Sequence, residues 1–329
     1  MKEIGSFIEL GLKSGKEYYS ESHYGLNNIV RLNTARAAIY HSLRCFEVNK
    51  VWLPIYECDT VSKFLEKKNV EISYYYIDDN FIPMIHSNDT TSAIVFPNYF
   101  GIMSKEHFMS FVSNFHNVII DNAQAFFSEP IENCINVYSC RKFVGTPDGA
   151  YVIGKNVNRF MDEYELDYSS DTALFLLLRH EYGCSGKAYT NRKLNEDRID
   201  KSDIKKMSIL TRKLLDSADY SENIDIRKNN FQYARKIFDK INEIQIDNLT
   251  DDKCIPMVYP LLVHKDLIKE FHENKIFQGH WWEYIVNIAA PNSFEHRLAS
   301  YILPITIDSR YGIEEIDFQY SIVMEGIKK

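Results

Sequence analysis

Short apolar runs alternate with helix-periodic segments along the first half of this 329-residue chain, and no other feature constrains the fold as strongly. Apolar residues recur at helical spacing over residues 35–46. The strand-like Val51-Trp52-Leu53-Pro54 follows, then a helical stretch over 60–67 and a strand over 70–77. Ser92-Ala93-Ile94-Val95-Phe96-Pro97 reads as a buried strand, residues 105–112 as a helix, and Val118-Ile119-Ile120 as a short strand ending at Asp121. Asn136-Val137-Tyr138 and Ala150-Tyr151-Val152-Ile153 complete the set. Strands joined through helices pair in parallel, so the expected class is α/β, a mostly parallel central sheet flanked by helices. Beyond about residue 160 the pattern becomes mainly helical, over 172–180, 207–215 and 224–244. A smaller α+β region closes the chain, with strands over 257–263 and 303–307 and helices over 265–273 and 313–327. The expected organisation is a large domain over 1–220 and a small carboxyl-terminal domain over 221–329.

Sheets of this kind bind ligands beyond the carboxyl ends of their strands. Four segments fall there: Pro54-Ile55-Tyr56, Asn98-Tyr99-Phe100-Gly101, Asp121, and Ser139-Cys140-Arg141-Lys142. The formal charge of -8 argues against a surface built for nucleic-acid phosphates or anionic lipid, so neither is an expected partner. It leaves a small anion open, because a local pocket of arginines and backbone N–H groups binds phosphate whatever the total charge. Six cysteines lie scattered with no C-x-x-C pair, which fits reduced thiols better than a disulfide frame or a zinc site. The first residues, Met1-Lys2-Glu3-Ile4-Gly5, lack the uninterrupted apolar run of a signal peptide or membrane span, so the cytoplasm is the expected compartment.

Singly, the polar residues at these strand ends say little. An aspartate ending a strand is commonly a turn cap, and a lysine is commonly a solvated surface residue. Together, Asp121 and Lys142 describe a cofactor site. A lysine amine condenses with the aldehyde of pyridoxal phosphate, while an aspartate keeps the pyridine nitrogen protonated so that the ring draws in electrons. A small-residue turn, Asp148-Gly149-Ala150, leads from the lysine segment back into an apolar strand.

These strings resemble the DegT/StrS family of pyridoxal-phosphate-dependent nucleotide-sugar aminotransferases, which have the fold-type-I aminotransferase architecture. Ala35-Arg36-Ala37-Ala38 is similar to the start of that family's phosphate-binding helix, and Leu53-Pro54-Ile55-Tyr56-Glu57-Cys58 to the segment facing the cofactor ring. Asn98-Tyr99-Phe100-Gly101 resembles its aromatic-glycine turn, and Asp121-Asn122-Ala123-Gln124-Ala125 its Asp-x-Ala-Gln/His-Ala signature. Lys142 with Asp148-Gly149-Ala150 resembles the cofactor lysine and its acidic-glycine turn. Tyr259-Pro260, Gly279-His280-Trp281-Trp282 and Leu303-Pro304 are similar to small-domain landmarks in one branch.

The resemblance implies pyridoxal 5'-phosphate as cofactor, an amino-acid donor, a nucleotide-sugar acceptor and a homodimer. It implies catalytic roles for Lys142 and Asp121. Ala35, Arg36, Ala37 and Ser139 would meet the phosphate, Gln124 the ring hydroxyl, and Tyr56, Cys58 and Asn98 the cofactor's surroundings. The chain also departs from the pattern. Val137 stands where a phosphate-binding serine is common, leaving Ser139 nearest, and Cys58 stands where an aromatic residue commonly covers the ring. Two other readings accompany these departures: a non-catalytic homologue that binds the cofactor or a nucleotide-sugar, and a pyridoxal-phosphate enzyme of another reaction type.

Overall fold

The computed structural model describes residues 4–328. Its main sheet holds seven strands: β1 (Ile29–Leu32), β2 (Lys50–Pro54), β3 (Glu71–Tyr75), β4 (Ala93–Pro97), β5 (Val118–Asn122), β6 (Ile135–Ser139) and β7 (Ala150–Ile153). A second, two-stranded antiparallel sheet pairs β8 (Val258–Leu262) with β9 (Ile302–Thr306). The helices are α1 (Glu21–Tyr24), α2 (Ala35–Phe46), α3 (Asp59–Lys67), α4 (Lys105–Met109), α5 (Leu174–Tyr182), α6 (Gly186–Lys201), α7 (Ile209–Ser217), α8 (Tyr220–Phe238), α9 (Ile268–Glu273), α10 (Phe294–Tyr301) and α11 (Ile313–Lys328).

The main sheet runs in the order β1-β7-β6-β5-β4-β2-β3. The expected parallel pairing holds from β3 through β6, and the β6–β7 and β7–β1 pairs are antiparallel. The reversal at β7 follows from chain length, because residues 140–149 offer one short 3₁₀ turn and a parallel return needs a crossover of about a dozen residues or more. The first strand was not anticipated. It is four residues long and carries Arg31 in mid-strand, which breaks the apolar signal. Its guanidinium is held by Glu17 and Glu21.

Strands β4 and β5 are buried on both faces, as their unbroken apolar runs require. Their alternation sends Ile94, Phe96, Val118 and Ile120 into one core layer with Phe111 and Phe115. Ala93, Val95 and Ile119 go into the opposite layer, against Ala38, Ile39 and Leu43 of α2. Each such fully buried side chain contributes about 1.5–3 kcal/mol relative to an exposed one. The first of these layers continues without a break into β8, β9, α10 and α11, so the carboxyl-terminal elements share a core with the main sheet.

Helix α8 ends at Phe238, short of the expected residue 244. Asn242 pins the chain there, donating to the Pro260 carbonyl at 2.8 Å and accepting the Leu262 N–H at 2.9 Å. The apolar spacing that suggested more helix comes from Ile241 and Ile244, which pack on the core from a turn.

Gly101 closes the turn after β4 with φ +77°, and a Cβ there would sit 2.6 Å from the Gln124 carbonyl oxygen. Gly101→Ala should therefore lose about 2–3 kcal/mol of stability, read as a lower urea midpoint. An unchanged midpoint would show that the turn relaxes freely.

Candidate active site

The carboxyl ends of β2, β4, β5 and β6 open on one edge of the sheet because these strands run parallel. A cavity of about 370 Å³ lies there. Glu57 and Cys58 reach it from beyond β2, Pro97 from β4, Asp121 and Gln124 from β5 and its turn, and Ser139, Arg141 and Lys142 from β6 and its 3₁₀ turn. Ala35 and Arg36 bring in the start of α2, and Trp282 enters from the carboxyl-terminal region. Helix α6 adds Arg192, Glu196 and Asp200 to the lining.

Asp121 is buried, and its Oδ1 accepts the Ala123 N–H at 2.8 Å. Burial pushes its carboxyl above the ordinary aspartate range, opposed by that N–H and by the Lys142 ammonium. Lys142 ends the turn Cys140–Lys142. That turn is fixed by Cys140 N–H to the Gly149 carbonyl at 3.1 Å and Val144 N–H to the Cys140 carbonyl at 2.9 Å. Gly149 has φ +116°, and its N–H donates to the Asn33 carbonyl at 2.7 Å. A Cβ on Gly149 would meet the Thr211 methyl at 2.8 Å, so only glycine lets this loop return directly into β7. Asp148 beside it is fully buried and holds the start of α7, accepting the Ser208 N–H at 2.9 Å and the Ser208 hydroxyl at 2.7 Å. The Thr211 hydroxyl is its third donor.

At the start of α2, Thr34 caps the helix by accepting the Ala37 N–H at 3.2 Å. The Ala35 and Arg36 N–H groups have no partner within the helix, and both residues line the cavity. Arg36 gives its Nη1 to Asp200 at 2.7 Å and its Nη2 to the Ile199 carbonyl at 2.5 Å, both on α6, while its Nε is buried without a partner. Arg141 pairs with Glu196, also on α6, and again its Nε is buried and unpaired. Burial lowers the Arg141 pKa, with Glu196 opposing that effect.

Of the residues singled out in the sequence, Ala35, Arg36, Cys58, Asp121, Gln124, Ser139 and Lys142 line this one cavity. Three others, Ala37, Asn98 and Tyr56, lie off its lining. Ala37 is buried behind the cap, its N–H taken by Thr34. Asn98 spends its side chain on Asn122 at 3.2 Å, Ser128 at 3.3 Å and the Met103 N–H at 3.2 Å, fastening the ends of β4 and β5 together. Tyr56 is buried off the cavity wall, with its ring edge on Trp282 at 4.6 Å. Gln124 reaches the wall with its Oε1 already accepting the Phe100 N–H at 2.7 Å, which leaves its amide N–H groups as donors. The adjacent tryptophans divide: Trp282 lines the cavity, and Trp281 stacks on Phe100 at 5.2 Å.

Sequence reasoning missed the contribution of α6. The helix is polar on nearly every side and shows no apolar stripe, burying only Ala188, Asn195 and Ile199. Asn195 ties it to the lysine loop by donating to the Pro147 carbonyl at 2.8 Å. Glu57 was missed as a chemical group because only its burial makes it unusual.

No family model matches this sequence, and no curated protein matches it. Solved structures do match the fold. A DegT/DnrJ/EryC1/StrS aminotransferase from Brucella abortus superposes with a TM-score of 0.61 at 11% identity, over 93% of this chain and 87% of that one. NtdA from Bacillus subtilis with bound cofactor PMP gives 0.64 at 12%, over 94% and 75%. The chain shares the fold of these structures. Helicobacter pylori PseC, an aminotransferase involved in the biosynthesis of pseudoaminic acid, shares the fold with a TM-score of 0.55 at 16% identity, over 94% and 89%. In this fold the cavity occupies the carboxyl edge of the sheet, where doubly wound sheets place their ligands. The six cysteines are free thiols, and no helix among the described residues is long and apolar enough to cross a membrane.

Proposed function

We propose that this chain is a pyridoxal-phosphate-dependent aminotransferase that moves an amino group from an amino acid, with glutamate the expected donor, to a keto group on a nucleotide-linked sugar. The observation that carries this reading is the convergence of Lys142, Asp121 and the start of α2 on one cavity. The residues fit the cofactor. They offer one amine, one buried carboxyl and, for a phosphate, helix-start N–H groups with buried unpaired donors at Arg36 Nε and Arg141 Nε.

Bound there, the cofactor supplies an aldehyde and an electron-withdrawing ring that stabilises negative charge beside the substrate nitrogen. Lys142 would hold the aldehyde through its amine and, when that amine is free, would carry a proton on Nζ within the cavity. Asp121 holds the proton of the ring nitrogen, and the buried position of its carboxyl strengthens that pairing. Gln124 donates toward the ring oxygen. Ser139 and the Ala35 and Arg36 N–H groups orient the phosphate, and Cys58 and Trp282 exclude water from the ring.

Residues 1–220 act in this reading as the cofactor domain and 221–329 as a smaller domain. The product is an amino sugar for a surface polysaccharide or a secondary metabolite, and the enzyme works in the cytoplasm as a homodimer. Leu174, Leu177 and Tyr182 on α5 are exposed apolar side chains that suit a second copy.

Purified protein given pyridoxal phosphate should develop a visible absorbance band, which glutamate should bleach. Protein that stays colourless would overturn the enzyme reading. Colour that no amino donor bleaches would assign the site to a non-catalytic binder or to another reaction type.

A further inference from the structure

Glu57 is a carboxyl of the cavity wall to which the function above gives no task and which no arginine pairs. It follows β2, two strands away from Asp121 in the sheet order, and lines the same cavity as Asp121 and Lys142. Its main chain is held firmly, with N–H to the Ile55 carbonyl at 3.1 Å and the carbonyl accepting the Tyr284 hydroxyl at 2.6 Å. Its Oε1 accepts the Cys58 N–H at 2.7 Å. Its Oε2 is buried with no hydrogen-bond partner, although the residue is only 6% exposed.

A buried carboxyl oxygen without a partner costs about 1–3 kcal/mol, more if charged, so its retention at a cavity wall points to a ligand that completes it. Among the described residues no wall side chain donates to this oxygen, and the neighbouring Cys58 Sγ lies 3.1 Å from the Thr60 hydroxyl. We propose that Glu57 is a further ligand-contacting residue of this site, donating a hydrogen bond from its Oε2 to the cofactor held by Lys142 and Asp121. This rests on the cofactor reading above.

The protonation state agrees with the geometry. Burial, then the neighbouring Asp121 charge, push the Glu57 carboxyl up to about 8, against the Cys58 N–H and the Lys142 ammonium, which oppose the rise. The other titratable groups around it are Cys58 beside it, Tyr75 on β3, Tyr99 after β4 and Tyr284. All three tyrosines are shifted upward by burial and stay neutral in this range. Glu57 therefore carries its proton at neutral pH and can donate. As pH rises through about 8 the proton leaves, and the residue changes from a donor to an anion.

The test is the dissociation constant for pyridoxal phosphate from pH 6.5 to 9.5, read by quenching of tryptophan fluorescence, in wild type, Glu57→Gln and Glu57→Ala. At pH 6.5 the Gln variant, whose carboxamide still donates, should match wild type, and the Ala variant should bind about fivefold to tenfold more weakly. Between pH 6.5 and 9.5 the wild-type constant should rise about fivefold to tenfold more than that of Glu57→Gln. Parallel pH profiles in wild type and Glu57→Gln would overturn the role of Glu57 while leaving the cofactor reading intact. A Gln variant as weak as the Ala variant at pH 6.5 would reduce Glu57 to a structural residue. Absence of binding in all three proteins would overturn both.

Discussion

Lys142→Ala should leave a folded protein that gains no visible absorbance with pyridoxal phosphate and retains less than about one part in 10⁴ of the wild-type transamination rate. Two losses combine. The variant lacks the amine that attaches the aldehyde, and it lacks the group that carries the proton between carbon atoms. Lys142 is solvent-exposed at the cavity, and its turn is held by main-chain bonds from Cys140 and Val144 rather than by its own side chain. Its removal should therefore change stability by no more than about 0.5 kcal/mol. Lys142→Arg separates charge from nucleophilicity and should be equally colourless. A visible band surviving in either variant would move the attachment to another amine and overturn the assignment.

Asp148→Ala should cost about 3–5 kcal/mol of folding free energy, measured as a lower urea midpoint with an unchanged slope. The carboxylate is fully buried and collects the Ser208 N–H, the Ser208 hydroxyl and the Thr211 hydroxyl. Alanine leaves these donors buried and unpaired at the first turn of α7. Ser208 also meets the Ser169 hydroxyl at 2.7 Å, so the loss spreads into the segment before α5. Asp148→Asn keeps one acceptor and should recover part of the loss. Because the same loop carries Lys142, the alanine variant should also weaken cofactor attachment, and the asparagine variant less so. A midpoint within about 0.5 kcal/mol of wild type would show that these groups find water instead.

The sequence made the strand ends legible because apolar runs bounded by a proline or a polar residue can only be buried strands. Pro54, Pro97 and Asp121 marked where the sheet opens, and Lys142 followed from the strand before it. What stayed hidden has physical causes. A largely polar helix such as α6 gives no periodic signal, and its importance lies in pairing with Arg36 and Arg141 across more than fifty residues of chain. Strand β1 hid behind Arg31, whose charge is compensated by Glu17 and Glu21 only in three dimensions. Asn98 sits in the expected turn, but whether its amide faces a ligand or fastens β4 to β5 depends on Asn122 and Ser128. The burial of Glu57 likewise exists only after folding.

Four cationic side chains line the cavity, Arg36, Arg141, Lys142 and Arg192, together with the carboxylates of Asp121, Glu196 and Asp200. The wall is thus a zwitterion before any anion arrives. A phosphate that took the unpaired Nε atoms of Arg36 and Arg141 would share those guanidiniums with Asp200 and Glu196, so its electrostatic gain would be reduced by the acidic charge already there. Both carboxylates belong to the helix that Asn195 ties to the Pro147 carbonyl, so an anion bound there would pull on the helix that steadies the lysine loop.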